Sequence, residues 1–332
     1  MGNLVGSNLW SPAVHQGAGG AIPFQIIAYF YASAIDMKVY KITAAGVITT
    51  FKDYSGVPRE PYGCAVDSDN GRLFVMMGDT AAQYQVDRFD DLSLDSGATA
   101  AATISSHTAH GGEGRYVYST DELIWGTING TPDGFHKYDG SLTTYLTLDT
   151  LDGNDCEYWP PDTEVYGVDQ IASRFRSGEL DGTSWAIIGG VTSGNETSML
   201  VPPAYLMGAT EYLMIGESLS GRIDRYTSRT APGSRLTWLD TTAAASDIQL
   251  QIRCIRFDYA NNKIIFIGHD NAGTGVFGLY SIPIQEGAQT EGNIVLLADF
   301  GAAGIGGTPL TGQGLGIHYN SDPSGLMVDV LP

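Results

Sequence analysis

Two apolar runs flanking a short polar cluster recur along this chain. In the first instance Cys64-Ala65-Val66 and Leu73-Phe74-Val75-Met76-Met77 bracket Asp67-Ser68-Asp69-Asn70-Gly71-Arg72. Asp, Asn and Gly tolerate the left-handed backbone that a tight connection between antiparallel strands requires, so the pattern predicts a β-hairpin. The layout returns at Cys254 to Gly268, around Asp258-Tyr259-Ala260-Asn261-Asn262, and at Gly316 to Val328, around Asn320-Ser321-Asp322-Pro323-Ser324-Gly325. A recurring hairpin implies a repeat, and its period decides the fold.

Between these hairpins runs a second pattern. Phe24 to Tyr31, Met37 to Ile42 and Gly46 to Phe51 are rich in aromatic and β-branched residues and are separated by Ala, Gly, Ser and Asp, which predicts three strands. Tyr40 opens a motif of Tyr, then Gly, then an apolar run closed by an aromatic. Related segments begin at Tyr138, Tyr226 and Tyr280, and Tyr84 fits the first half. These tyrosines lie 44, 54, 88 and 54 residues apart, and because 88 is twice 44, one copy near residue 182 has lost its signature. Six outer hairpins follow. Six inner hairpins fit near residues 64, 106, 157, 204, 252 and 314, the weaker ones being those near 106 (His107 to Ser119), 157 and 204 (Ala204 to Glu217).

The chain thus opens with an outer hairpin and closes with an inner one. The simplest arrangement joins 314–331 to the N-terminal strands in one sheet, closing a ring of six four-stranded blades that leaves no free edge at the closure. Phe24 to Tyr31 is then a strand in excess, and a seventh, incomplete blade is the alternative. Cys64, Cys156 and Cys254, 92 and 98 residues apart, all open inner hairpins. They are expected as buried residues on alternate blades, too far apart for a disulfide and without a Cys-x-x-Cys spacing for metal.

This succession of hairpins resembles that of β-propeller proteins over roughly residues 24 to 331, without a WD dipeptide or kelch double glycine to point to one family. The resemblance implies an all-β propeller fold and says little of activity, since propellers host lyases, lactonases, sugar hydrolases and docking scaffolds alike.

Composition narrows the partners. Seventeen basic against 37 acidic side chains give a net charge of −20, which repels phosphate backbones and anionic lipid surfaces, so no nucleic acid is expected as partner. The first Lys or Arg is Lys38, and the apolar run Phe24 to Ile35 is too short to span a bilayer. Neither a leader nor membrane insertion is expected. Residues 1–23, with Gly17-Ala18-Gly19-Gly20, are expected as an N-terminal arm preceding the propeller domain of 24–332.

Residues with chemical potential are scattered. His107, His110 and His318 are candidates for acid and base work at the channel mouth. Asp67 and Asp69 offer oxygen ligands suited to Ca²⁺, though without the run of a calcium-binding loop. Asp149, Asp152, Asp155, Glu157, Asp162 and Glu164 form the densest acidic group, interleaved with Tyr158 and Trp159 between Gly153-Asn154 and Pro160-Pro161. That setting predicts a loop. Asp152, Asp155, Glu157, Tyr158 and Trp159 are its candidate ligand-binding residues, because carboxylates beside aromatic platforms suit sugars. Sialidase-type Asp boxes, a Walker loop, a nucleophile elbow and His-Glu-x-x-His are all missing from the sequence.

Together these features predict a structural or recognition subunit of a larger assembly, most concretely a phage or virion tail or surface protein whose N-terminal arm docks on a neighbouring subunit. Its place would be the virion or the extracellular medium, its partners other subunits and a glycan. The alternative is a propeller lyase or hydrolase, or a carbohydrate-binding module, acting at the channel mouth. No cofactor is required by either, and Ca²⁺ is the one ion suggested.

Overall fold

The computed structural model describes residues 27–34, 36–57, 60–78, 84–107, 110–128, 133–141, 143–149, 153–159, 163–169, 174–190, 196–208, 210, 212–217, 220–242, 250–270, 276–305 and 314–319. The first blade takes β1 (Ile27–Ala34), β2 (Lys38–Thr43) and β3 (Ile48–Asp53) from the start of the chain. The second holds β4 (Glu60–Asp67), β5 (Arg72–Gly78), β6 (Tyr84–Phe89) and β7 (Ala102–His107), and the third β8 (His110–Val117), β9 (Glu122–Ile128), β10 (Asp133–Tyr138) and β11 (Thr143–Asp149). The fourth comprises β12 (Gly153–Trp159), β13 (Glu164–Asp169), β14 (Arg174–Glu179) and β15 (Ala186–Gly190). β16 (Glu196–Leu200), β17 (Leu213–Glu217), β18 (Arg222–Tyr226) and β19 (Arg235–Asp240) make the fifth. The sixth has β20 (Leu250–Asp258), β21 (Lys263–Asp270), β22 (Gly278–Pro283) and β23 (Val295–Asp299). β24 (Leu315–Tyr319) returns to pair with β1, so the first sheet runs β24-β1-β2-β3.

Six four-stranded antiparallel sheets therefore form the ring, and the strand expected in excess is the second strand of the closing blade. No seventh blade is needed to place it. Ile27 pairs with Tyr319 and Ala32 with Leu315, and the Gly314 N–H donates to Ser33 Oγ at 2.6 Å. The second half of the predicted C-terminal hairpin, Leu326 to Val328, lies outside the described residues, as does the 1–23 arm. Tyr40, Tyr84, Tyr138, Tyr226 and Tyr280 all fall in third strands, and the degenerate copy is β14, which carries Phe175. The inner strand expected near 204 is β16 instead, followed by a short 3₁₀ turn at Ala204–Met207.

Hairpin chemistry works as the sequence implies. Gly71, Asp121, Thr163 and Asn262, each the residue just before a second strand, and Gly221, just before the third strand β18, all have φ between 52° and 64°. Asp67 and Asp258 staple two of these turns by accepting backbone N–H bonds from Asp69 and Asn70, and from Ala260 and Asn261. The core is divided among the blade interfaces. Ile42, Phe30 and Leu315 pack on Ile267, Leu279 and Phe300 between the first and sixth blades, and Met214, Trp238 and Leu200 on Leu250, Ile252 and Phe266 between the fifth and sixth. Each such side chain contributes about 1.5–3 kcal/mol when fully buried.

Around the axis the inner strands crowd together. A Cβ on Gly63 would strike the carbonyl of Gly112, and one on Gly314 would strike the backbone of Gly63 and Cys64, so only glycine allows these approaches. β4, β8, β12, β16 and β20 each carry a bulge near their start, between Pro61 and Gly63, Gly111 and Gly114, Gly153 and Asp155, Glu196 and Ser198, and Ile252 and Ile255. Bulges sharpen twist and re-aim side chains. Among the described residues no helix is long and apolar enough to cross a membrane.

Candidate functional site

All six inner strands meet in one cavity of about 100 Å³ at their C-terminal ends. Its wall is aromatic: Tyr116 and Tyr118 extend from β8, Tyr158 from β12, Phe257 and Tyr259 from β20, and Tyr319 from β24. Two of these tyrosines bridge blades in equivalent ways. The Tyr118 hydroxyl accepts the Ser68 N–H at 3.2 Å, and the Tyr319 hydroxyl accepts the Tyr259 N–H at 3.1 Å. Tyr116 stacks on Phe74 and takes a 2.7 Å bond from Arg72. The wall is thus fixed by hydrogen bonds rather than by packing alone.

Arg115, Arg256 and Glu157 supply the polar floor. Arg115 grips Asp155 with both terminal nitrogens at 2.9 and 3.3 Å, reaches Glu157 through Nε at 3.2 Å, and donates to the carbonyls of Gly114 and Met199 at 3.1 and 2.9 Å. Those bonds use all five donors of a guanidinium. Asp155, fully buried, also accepts the N–H groups of Cys156 and Met199, so the cluster ties β8, β12 and β16 together. Arg256 of β20 meets Glu113 of β8 across the ring, three blades away, and stands 3.5 Å from Asp155. Its other bond goes to the Ile255 carbonyl, which leaves donors free for the cavity.

Burial governs the protonation of this floor. It pushes the Glu113 carboxyl up to about 8, with Asp155 adding to the rise and Arg256 and Arg115 opposing it, and Glu113 Oε1 is buried without a partner. Burial likewise raises Glu157 against the pull of Arg115. The Cys64, Cys156 and Cys254 thiols, all free and buried, are also driven upward by desolvation. Cys64 lines the cavity as a neutral thiol rather than a nucleophile.

Several residues singled out in the sequence converge here. Asp155 and Glu157 join the ionic floor and Tyr158 the wall, and the segment expected as a loop is the inner strand β12. Gly153 and Asn154 open that strand, and Arg115 makes its buried acids tolerable. Trp159 faces away, buried in the packing between the fourth and fifth blades with Arg229 5.0 Å over its ring. Asp152 lies outside the described residues.

The other candidates stand apart. His107 ends an outermost strand and His110 begins an inner one, so the two flank a passage from blade to blade rather than sharing a strand. His318 stacks on Tyr29 away from the cavity wall, and burial lowers its pKa. Asp67 is fully buried and accepts from Asp69, Asn70 and Arg72, its place being the turn; Asp69 is exposed beside it. Among the described residues no group of three or more His, Cys, Asp or Glu is placed to hold a metal ion. Arg115, Glu113 and Arg256 were not foreseen; the signal available was Glu113 and Arg115 two apart in the Gly-rich strand β8 and Arg256 between the apolar Ile255 and Phe257 of β20.

No model of a known protein family matches the chain. No curated protein matches it either. Solved structures resemble it over most of its length. A calcium-binding regucalcin from Agrobacterium tumefaciens shares 15% identity at a TM-score of 0.52, over 80% of this chain and 81% of that one. A putative 6-phosphogluconolactonase from Bacteroides uniformis shares 7% at 0.52, over 80% of both. Catalytically inactive virginiamycin B lyase from Staphylococcus aureus, solved with quinupristin, shares 14% at 0.50, over 70% of this chain and 71% of that one. The chain is a six-bladed β-propeller. At these identities the propeller likeness is one of fold.

Proposed function

We propose that this propeller binds a small, uncharged, polar ring compound, a sugar unit being the class that fits best, in the axial cavity. The observation that carries the reading is the convergence of six inner strands on one cavity with tyrosine walls and a floor of Arg256 and Glu157. Aromatic faces pack against the apolar face of a sugar ring, the spare donors of Arg256 address its hydroxyl oxygens, and Glu157 accepts from its hydroxyls. Arg115 balances the neighbouring acids, which favours a neutral ligand over a charged one. Similar folds in a lyase and a putative lactonase support small-molecule chemistry on such a ring. The calcium of the regucalcin neighbour is not part of this reading, because Glu157 is engaged by Arg115 and by the Tyr158 N–H.

A glycan array followed by calorimetry tests it. Binding of a defined sugar should weaken at least tenfold in Glu157→Gln and in Tyr158→Phe, whose hydroxyl has only a 3.5 Å contact to Ser119 to lose. An array without a hit, or a hit insensitive to both changes, overturns the reading.

A second reading, a subunit of a larger assembly such as a virion, draws on the rim between the sixth and first blades. Val295, Leu296 and Val47 are 50%, 41% and 58% exposed there, and the turn at Gly46 packs against the Leu297 carbonyl. Light scattering on the wild type and on Val295→Asp/Leu296→Asp tests it: an oligomer that the double change dissolves supports this reading, and a monomer at high concentration removes it.

A further inference from the structure

Arg253 is a largely desolvated cation outside the networks above. Arg253 stands in the bulge between Ile252 and Ile255 of β20, on the side of Arg256 away from the tyrosine cavity. Its guanidinium makes a single hydrogen bond, from Nη2 to Gln251 Oε1 at 3.3 Å, while Nε is buried with no partner. No carboxylate lies against it among the described residues. Other arginines show the contrast: Arg115 and Arg256 stand against Asp155, Arg229 against Glu164 and Arg235 against Asp224, while Arg225 lies 4.9 Å over the Tyr212 ring.

The chain has 37 acidic side chains against 17 basic ones, so a desolvated arginine without one is conspicuous. Burying an unpaired charge is costly, and that cost is met when an anion completes the pair. Desolvation alone, with no neighbouring charge opposing it, lowers the Arg253 pKa to about 10, which still leaves it cationic at neutral pH. Arg253 is not sealed off either, being only partly buried as a residue. Its planar fork matches the two oxygens of a carboxylate or phosphate.

We propose that Arg253, held in place by Gln251, anchors a second binding site that takes the carboxylate or phosphate group of a small anion. The site is separate from the sugar-binding reading, which uses the other side of Arg256. The overall charge of −20 opposes extended polyanions, but that repulsion is screened within a Debye length of about 8 Å in physiological salt, whereas the contact at the guanidinium is not. A compact anion is therefore the ligand that fits.

Thermal unfolding with inorganic phosphate and, separately, with acetate, at ionic strength held by potassium chloride, tests the site on the full chain. The wild type should show a saturable rise in Tm with at least one of them, and the anion with the lower half-saturation names the group preferred. Arg253→Met keeps the apolar stem and removes the charge. It should melt at or above the wild type without added anion and need at least tenfold more anion for any response. Arg253→Lys keeps the charge without the fork and should respond more weakly than wild type, which guards against a Met variant that does not fold. A response that persists in both variants places the anion elsewhere and overturns the proposal. So does a wild type that responds to neither anion.

Discussion

The most informative single perturbation is Glu113→Gln. Glu113 is 4% exposed, and burial raises its carboxyl from 4.5 to about 8 in spite of Arg256. At about 1.4 kcal/mol per pH unit, ionising it inside the ring costs on the order of 5 kcal/mol. A group whose pKa is higher folded than unfolded holds more protons in the native state. Its contribution to stability is then fully present below the unfolded pKa of 4.5 and is lost as pH rises through about 8. The groups around it are Arg256, Asp155, Arg115 and Cys254, of which Asp155 also disfavours its charge. Glutamine mimics the protonated acid, so Glu113→Gln should be nearly as stable as wild type at pH 5 and more stable at pH 9, with the gap opening in between. Urea denaturation at pH 5, 7 and 9 reads this as the difference in midpoint between the two proteins, which cancels the other titrating groups. If Glu113 were instead ionised and paired with Arg256 at neutral pH, the amide would strand a buried cation and cost about 3–5 kcal/mol at pH 7. A loss of that size, or a difference that does not vary with pH, refutes the reasoning.

Arg115→Met removes the countercharge of Asp155 and Glu157 and should cost about 3–5 kcal/mol, seen as a fall in Tm on the order of 10 °C by calorimetry. Cys64, Cys156 and Cys254 should all resist a thiol reagent in the native protein and all react in urea, because burial keeps each thiol protonated; rapid native labelling of any one would contradict its burial. Tyr319→Phe loses the hydroxyl that accepts the Tyr259 N–H and should destabilise by about 1–2 kcal/mol in chemical denaturation. Truncation before Leu315 strips β1 of its inner partner and should convert a single unfolding transition into a broad one at lower temperature, with new protease cleavage in β1.

The ring was legible because its determinants are local. Asp67-Ser68-Asp69-Asn70-Gly71 and Asp258-Tyr259-Ala260-Asn261-Asn262 write their turns directly into the sequence, with Gly71 and Asn262 at the left-handed positions. The fifth inner strand was displaced because β16 has no such turn after it; Pro202-Pro203 and a 3₁₀ segment stand there instead. The site was only half legible. The acid-rich stretch at Asp155 to Trp159 drew attention, but its charge density suggested a solvated loop. The reason it is an inner strand, Arg115, comes from another blade 40 residues away, and a pairing across blades leaves no trace in local spacing. The cross-ring contact of Arg256 and Glu113 spans 143 residues and was invisible for the same cause.

The clasp between Gly314 and Ser33 bridges 281 positions of the polypeptide. Closing so long a loop costs about 5 kcal/mol in chain entropy before any contact rewards it, which makes this the longest-range step in completing the ring. On a ribosome, the inner edge of β1, which carries Phe30 and Tyr31, waits unpaired until Leu315 to Tyr319 emerge. That interval is when a nascent chain is most exposed to pairing with its neighbour, and a chaperone or slow translation would matter most there.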